Sequence, residues 1–353
     1  MLDKILSIIK LLIVSLLLLL GLTVSLLWVM HSGAQWESPI SEQNRLSVQE
    51  AVNTPEPWQP RSIQTDLPAG PEGEQIRYGY DLITETYKHL GPELENAQSI
   101  YTGNNLACKN CHLGSGTQAG AASYVGVSQR FPQFRGREGR EGTLEGRING
   151  CMERSMNGRK LAVDSEEMQA MVAYMDWLSE DIPASEMDRY KGFVTINVPE
   201  RAADTLQGKL VYQQQCVVCH GADGQGQKNP GNAKGYAYPP VWGDDSYNHG
   251  AGMNRVITAA RFIKANMPFG ATADSPILTD EQAYDVAAYI DAHARPIKPD
   301  TDKDYPDLKR KPVDSPYGPY YDTFPAEQHK FGPFQPIQQY YQNLKEEDKN
   351  NAL

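Results

Sequence analysis

At 353 residues with a formal net charge of −11, the chain has room for two domains of ordinary size and carries an acidic surface. That balance argues against a nucleic-acid partner and leaves room for a docking face that fits a basic redox partner. Five cysteines fall into two close pairs plus one, so no structural disulfide is implied.

From the N-terminus, Leu11 to Met30 is a run of twenty residues without a charge, long enough to cross a bilayer's hydrocarbon core. Lys4 and Lys10 precede it, and the positive-inside bias then leaves the rest of the chain outside the cytoplasm. A cleaved signal peptide, with Ser32-Gly33-Ala34 as a small-residue site, is the competing reading. An uncleaved inner-membrane anchor over residues 1–30 is favoured, and both readings deliver the chain to the periplasmic side. Residues 31–70 read as a Pro-rich linker, interrupted by Pro55, Pro57, Pro60, Pro68 and Pro71.

A loose internal repeat follows. In residues 71–190, Ile76, Tyr80, Ile83 and Tyr87 mark one helix face ahead of Cys108-Lys109-Asn110-Cys111-His112. A closing helix is expected to start at Asp164, boxed by Glu167, with Met168, Met171, Val172, Met175 and Leu178 as its apolar stripe. After a linker at 191–203, residues 204–295 repeat the order. Leu206, Leu210 and Val211 precede Cys216-Val217-Val218-Cys219-His220, and Thr279 with Gln282 caps a helix that buries Ala283, Val286, Ala287 and Ile290. No long strand is visible. The pattern predicts an all-α chain of two tandem cytochrome c-like domains. The tail, 296–353, is rich in proline and tyrosine; disorder is one reading of it, and extended packing across a domain surface is favoured for its aromatic content.

C-x-x-C-H is the attachment signature of a c-type haem, with thioethers from both cysteines and the histidine as proximal iron ligand. Two copies predict two covalently bound haem c groups, at Cys108, Cys111 and His112 and at Cys216, Cys219 and His220. A zinc site would want four ligands brought together, and the pairs lie far apart in sequence. For the second iron, Asn266-Met267-Pro268-Phe269-Gly270 offers Met267 as distal ligand, with Met253 a rival.

The first domain has no matching Met-Pro loop. It offers instead a helix capped by Thr143 and ended by Gly158, with Leu144, Ile148, Met152 and Met156 facing the core. Arg147, Cys151, Arg154 and Ser155 share the neighbouring face, where guanidinium groups make the cysteine easy to ionise. From Arg130 to Lys160 there are seven arginines and one lysine against four glutamates and no aspartate. Such a run is usually a solvated face, and a lone cysteine is often a small buried hydrophobe. Arginines around the one unassigned cysteine favour an anion site suited to tetrahedral oxyanions.

Tyr101-Thr102-Gly103-Asn104-Asn105, Arg147-Ile148-Asn149-Gly150-Cys151, Arg154-Ser155 and Asn266-Met267-Pro268 together resemble the thiosulfate dehydrogenase family of dihaem c-type cytochromes. The resemblance implies that two thiosulfates are joined into tetrathionate, releasing two electrons to an external carrier such as a small cytochrome c. It implies Cys151 as both distal ligand of the first haem and catalytic residue, with His220 and Met267 on the second. Arg137 and Arg147 correspond to the family's substrate-binding arginines, with Ser155 nearby and Arg154 in the same cluster. Some members carry a lysine before the distal methionine and exchange the two on reduction; here that place is Asn266 and the nearest lysine is Lys264. The expected chemistry is a Cys151–thiosulfate adduct resolved by a second thiosulfate. The reverse reaction, tetrathionate reduction, uses the same bonds. A dihaem electron carrier without its own substrate and a dihaem peroxidase are the competing classes. The second of these needs an acid–base group that none of His31, His89, His249, His293 and His329 obviously supplies.

Overall fold

The computed structural model describes residues 2–31, 58–231 and 234–351. The chain divides into two compact units, residues 1–58 and 59–353. In the first, helix α1 (Leu2–His31) contains the apolar stretch Ile9–Trp28, whose 20 residues match a bilayer core at 1.5 Å rise each. None of that stretch is buried, and a signal sequence has the same character. The candidate cleavage site at Ser32-Gly33-Ala34 and most of the proposed linker, including Pro55 and Pro57, lie outside the described residues. The described end of that linker is packed, because Ile63 is buried in the first core.

Residues 59–353 are helical with two small hairpins. The first hairpin pairs β1 (Gln133–Arg135) with β2 (Arg140–Gly142), and the second pairs β3 (Gln227–Lys228) with β4 (Tyr236–Tyr238). The helices are α2 (Pro71–Thr84), α3 (Thr86–His89), α4 (Leu144–Arg154), α5 (Glu166–Trp177), α6 (Thr205–Gln215), α7 (Val217–His220), α8 (Val256–Asn266) and α9 (Asp280–Asp291), then α10 (Ala326–Phe331) and α11 (Gln335–Asn351). Helix α2 packs on α5, and α6 packs on α9, each pair enclosing one half of the core.

Both crossings are built on a glycine. A Cβ on Gly79 would lie 2.0 Å from the Ala170 carbonyl oxygen, and one on Gly208 would lie 2.0 Å from that of Asp285. Only a missing side chain lets these backbones approach so closely, and the repeat of the device shows that the two halves share one architecture. Helix α9 starts with the expected capping box: the Gln282 N–H donates to Thr279 Oγ1 at 3.2 Å, and the Thr279 N–H donates to Gln282 Oε1 at 2.9 Å.

Two expectations need correction. Helix α5 is capped by Ser165, whose hydroxyl accepts from the Met168 N–H at 3.2 Å, not by Asp164 with Glu167; both residues can cap, and Ser165 is one position nearer the first apolar residue. On α6, Val211 is buried, but Leu206 and Leu210 are exposed, Leu206 by 74 %, so the buried face is carried by Gly208, Val211 and Tyr212.

Over its described residues, 296–351, the tail is ordered. It runs irregularly over the second half, where His329 is buried and hydrogen-bonds the Val313 carbonyl at 2.8 Å and Asp322 at 2.9 Å. It then departs from extended form in α10 and α11, and Phe334 and Ile337 are wholly buried.

Candidate active site

Each C-x-x-C-H motif lines its own largely apolar cavity. The first, of about 350 Å³, is bordered by Cys108, Cys111 and His112; the second, of about 520 Å³, by Cys216, Cys219 and His220. In each, the histidine Nδ1 is tied to a backbone carbonyl at 2.8 Å, that of Ala122 for His112 and that of Pro239 for His220. Such a bond fixes the ring and leaves Nε2 as the nitrogen available to a metal. Paired thiols, an oriented imidazole and an apolar cavity are the donor set that a covalently held haem needs, so these residues fit the group. Leu106 and Cys111 border both cavities, which therefore share a wall.

The loop Asn266–Gly270 borders the second cavity, Met267 included; Met253 borders it too. Asn266 is buried, accepting from Gln118 Nε2 at 2.7 Å and donating to the Gly120 carbonyl at 3.1 Å, so it stitches the two halves together. Lys264 is committed elsewhere, to the Leu278 carbonyl at 2.7 Å and Asp280 at 2.9 Å.

Helix α4 keeps the expected core stripe and its Thr143 cap but ends at Arg154, short of Gly158, with Asn157 taking the left-handed turn at φ 47°. Thr143 accepts from the Gly146 N–H at 3.3 Å, and Leu144, Ile148, Met152 and Met156 are buried in the first core. The carbonyls at its end and just beyond, Glu153 to Met156, are claimed from both halves of the molecule. The Gly103 N–H donates to Met156 O and Asn104 Nδ2 donates to Ser155 O, both at 2.9 Å. The Asn248 N–H donates to Arg154 O at 3.1 Å, and Asn248 Nδ2 donates to Glu153 O at 2.9 Å. The Tyr101–Asn105 segment is thus half of a clamp on the end of the cysteine's helix.

On the neighbouring face, Cys151 borders the first haem cavity and also a third, more polar cavity of about 570 Å³. Arg147 Nη1 donates to the Cys151 sulfur at 2.9 Å. Burial raises the thiol's pKa, but the Arg147 charge and then a hydrogen bond and charge from His112 outweigh it and bring it down to about 6. Burial pushes Cys108 up to about 11 and both Cys111 and Cys216 up to about 12. Cys151 is thus poised as a thiolate beside the first motif's histidine.

Arg137, Arg147, Arg154 and Ser155 all border the third cavity. One partner was not foreseen. Asp304, in the tail, pairs with Arg154 at 2.7 Å and Arg137 at 3.5 Å, and accepts from the Tyr317 hydroxyl at 2.8 Å. Nothing local in the sequence points across 150 residues to that contact; the tail's aromatic content was the one available signal that it packs. Among the described residues, no histidine besides His112 borders the first or third cavity, so the peroxidase reading finds no free imidazole there.

Residues 98–184 match the SoxA/TsdA cytochrome c domain family and residues 206–294 the cytochrome c family. The thiosulfate dehydrogenase of Allochromatium vinosum is 46 % identical over 235 residues, which cover 65 % of this chain and 82 % of that protein. The chain belongs to the thiosulfate dehydrogenase family. A second thiosulfate dehydrogenase, from Psychrobacter arcticus, is 41 % identical over 243 residues, 69 % of this chain and 70 % of that protein. The solved thiosulfate dehydrogenase (TsdBA) of Marichromatium purpuratum, in its as-isolated form, superposes with a TM-score of 0.61 at 35 % identity. That match covers 72 % of this chain and 52 % of the solved one, so the chain spans about half the length of that structure. The chain thus carries two tandem cytochrome c domains.

Proposed function

We propose that this protein is a periplasmic dihaem oxidoreductase that joins two thiosulfates into tetrathionate with release of two electrons, using Cys151 as the reacting sulfur. The observation that carries the reading is the Cys151 sulfur, held by Arg147 Nη1 at 2.9 Å where a haem-sized cavity meets an arginine-lined one. Haem c would be held by Cys108, Cys111, His112 and Cys151 in the first half and by Cys216, Cys219, His220 and Met267 in the second, and would supply a one-electron acceptor in each.

The residues divide the remaining work. Arg147 keeps the Cys151 sulfur ionised and directs it into the polar cavity, where Arg137, Arg154 and Ser155 offer donors to an oxyanion. The thiolate and the terminal sulfur of one thiosulfate form an S–S bond while two electrons leave, so a charge of −1 remains on the adduct. A second thiosulfate attacks the cysteine-bound terminal sulfur, forming tetrathionate and returning the thiolate. Two free dianions about 5 Å apart repel by on the order of 13 kcal/mol at an effective dielectric constant of 20. A singly charged adduct halves that figure, and the arginines offset what remains. Covalent capture therefore lowers the electrostatic barrier as well as activating the sulfur.

Electrons are proposed to pass across the wall of Leu106 and Cys111 to the second half and then to an external carrier such as a small cytochrome c. Val218 within the second motif is 82 % exposed and Phe269 on the Met267 loop 93 %, which supports an exit there. Helix α1 is the proposed inner-membrane anchor. Run backwards, the same bonds reduce tetrathionate. A substrate-less electron carrier would leave the Arg147–Cys151 pair without work. The test is turnover of thiosulfate with an artificial acceptor, and of tetrathionate with a reduced donor, in wild type and Cys151→Ala. The variant is expected to keep both haems and lose at least about a thousandfold in rate, as removal of a covalent nucleophile does; full turnover in that variant overturns the reading.

A further inference from the structure

Seven arginines border the polar cavity, and most are already neutralised. Arg135 pairs with Glu138 at 3.0 Å, Arg255 with Asp314 at 2.6 Å and Arg310 with Asp307 at 3.2 Å. Arg137 and Arg154 share Asp304, and Arg147 is turned to the Cys151 sulfur. Arg261 is different. Among the described residues it has no carboxylate or hydrogen-bond partner, whereas Arg154 has Asp304, and its Nε, like that of Arg154, is shut off from solvent with nothing to donate to. It projects from α8, within the 206–294 match, into a cavity whose cysteine lies within the 98–184 match.

A buried guanidinium donor without a partner is costly unless an acceptor arrives, and the chemistry that satisfies it is an oxyanion. The reaction needs two such anions at once. Arg147 serves the sulfur that captures the first. We propose that Arg261 holds the second thiosulfate, the one that attacks the cysteine-bound terminal sulfur, so that the substrate site is completed by a cation from the second cytochrome c domain. The inference rests on the function proposed above. It assigns an order to the two substrates: the first is captured at Cys151, and the second is held across the cavity with its charged end on Arg261 and its terminal sulfur directed at the adduct.

The test uses the full-length, haem-loaded protein as wild type, Arg261→Gln and Arg261→Lys, under steady turnover with thiosulfate. Acid-quenched samples are assayed by mass spectrometry for the fraction of Cys151 carrying thiosulfate. Arg261→Gln is expected to raise KM for thiosulfate tenfold or more and to raise the adduct fraction several-fold, because the adduct forms but is resolved slowly. Arg261→Lys, which keeps the charge and loses the fork, should fall between. A KM and adduct fraction within twofold of wild type in the Gln variant overturns the assignment. So does equal loss in both variants, or failure of Arg261→Gln to hold two haems, since either makes the residue structural. A wild type that neither oxidises thiosulfate nor forms the adduct would instead sink the functional reading itself.

Discussion

Cys151 owes its character to Arg147, against what burial alone would do. An isolated buried thiol is driven towards the neutral form, as Cys108 and Cys111 are. Arg147, one helical turn before it, reverses the sign. Asp304 plays the complementary part for the other arginines, holding Arg137 and Arg154 apart from solvent with a single carboxylate. The three side chains are at most 14 % exposed, so removing the one anion leaves two largely buried cations uncompensated. Asp304→Asn is therefore expected to cost roughly 3 kcal/mol of stability. Thiosulfate or sulfate should restore more of the lost Tm in the variant than it adds to wild type, because a bound anion replaces the missing charge. Scanning calorimetry with and without the anion checks this; equal anion shifts in both proteins would show that Asp304 does not neutralise the cluster. The Arg147–Cys151 pairing was legible because it is local and follows the 3.6-residue period. Asp304 was not, because its contact closes a loop of 150 residues, and Arg261 was not, because an orphaned donor is a property of packing.

Helix α4 and the two glycine crossings show how elements carry the site. The helix's core stripe could be read directly from residues four apart, but its C-terminal anchoring by Asn104 and Asn248 could not, since side chain to carbonyl bonds leave no periodic trace. The crossings were equally invisible to a search for apolar stripes: what matters at Gly79 and Gly208 is the absence of a side chain. This also explains why Leu206 and Leu210 mislead as markers of the buried face, which is centred on Gly208 instead. Gly208→Ala would place a methyl group 2.0 Å from the Asp285 carbonyl oxygen. The helices must separate, and the expected cost is about 1–3 kcal/mol or somewhat more in denaturant unfolding, despite alanine's better helix propensity. A neutral or stabilising change would show that the α6–α9 contact is looser than described.

At the scale of the molecule, residues 59–353 form a single compact unit in which the two haem halves share a cavity wall and the tail returns to the polar cavity with Tyr305 and Arg310, Asp304 pairing with two of its arginines. The tandem repeat was readable from the two C-x-x-C-H motifs and the capping box of α9, all local patterns. How the halves meet was not, because Asn266, Asn248 and Gln118 act through a few long-range hydrogen bonds that leave no local pattern. That union gives the account its central claim: one thiolate, from Cys151, is shared between iron and substrate. Electron paramagnetic resonance of the oxidised, substrate-free protein tests it most directly. The account predicts two distinct low-spin centres, one with the small anisotropy of histidine–thiolate ligation, absent in Cys151→Ala, and one with histidine and methionine. Two methionine-coordinated centres without a thiolate signal would contradict it.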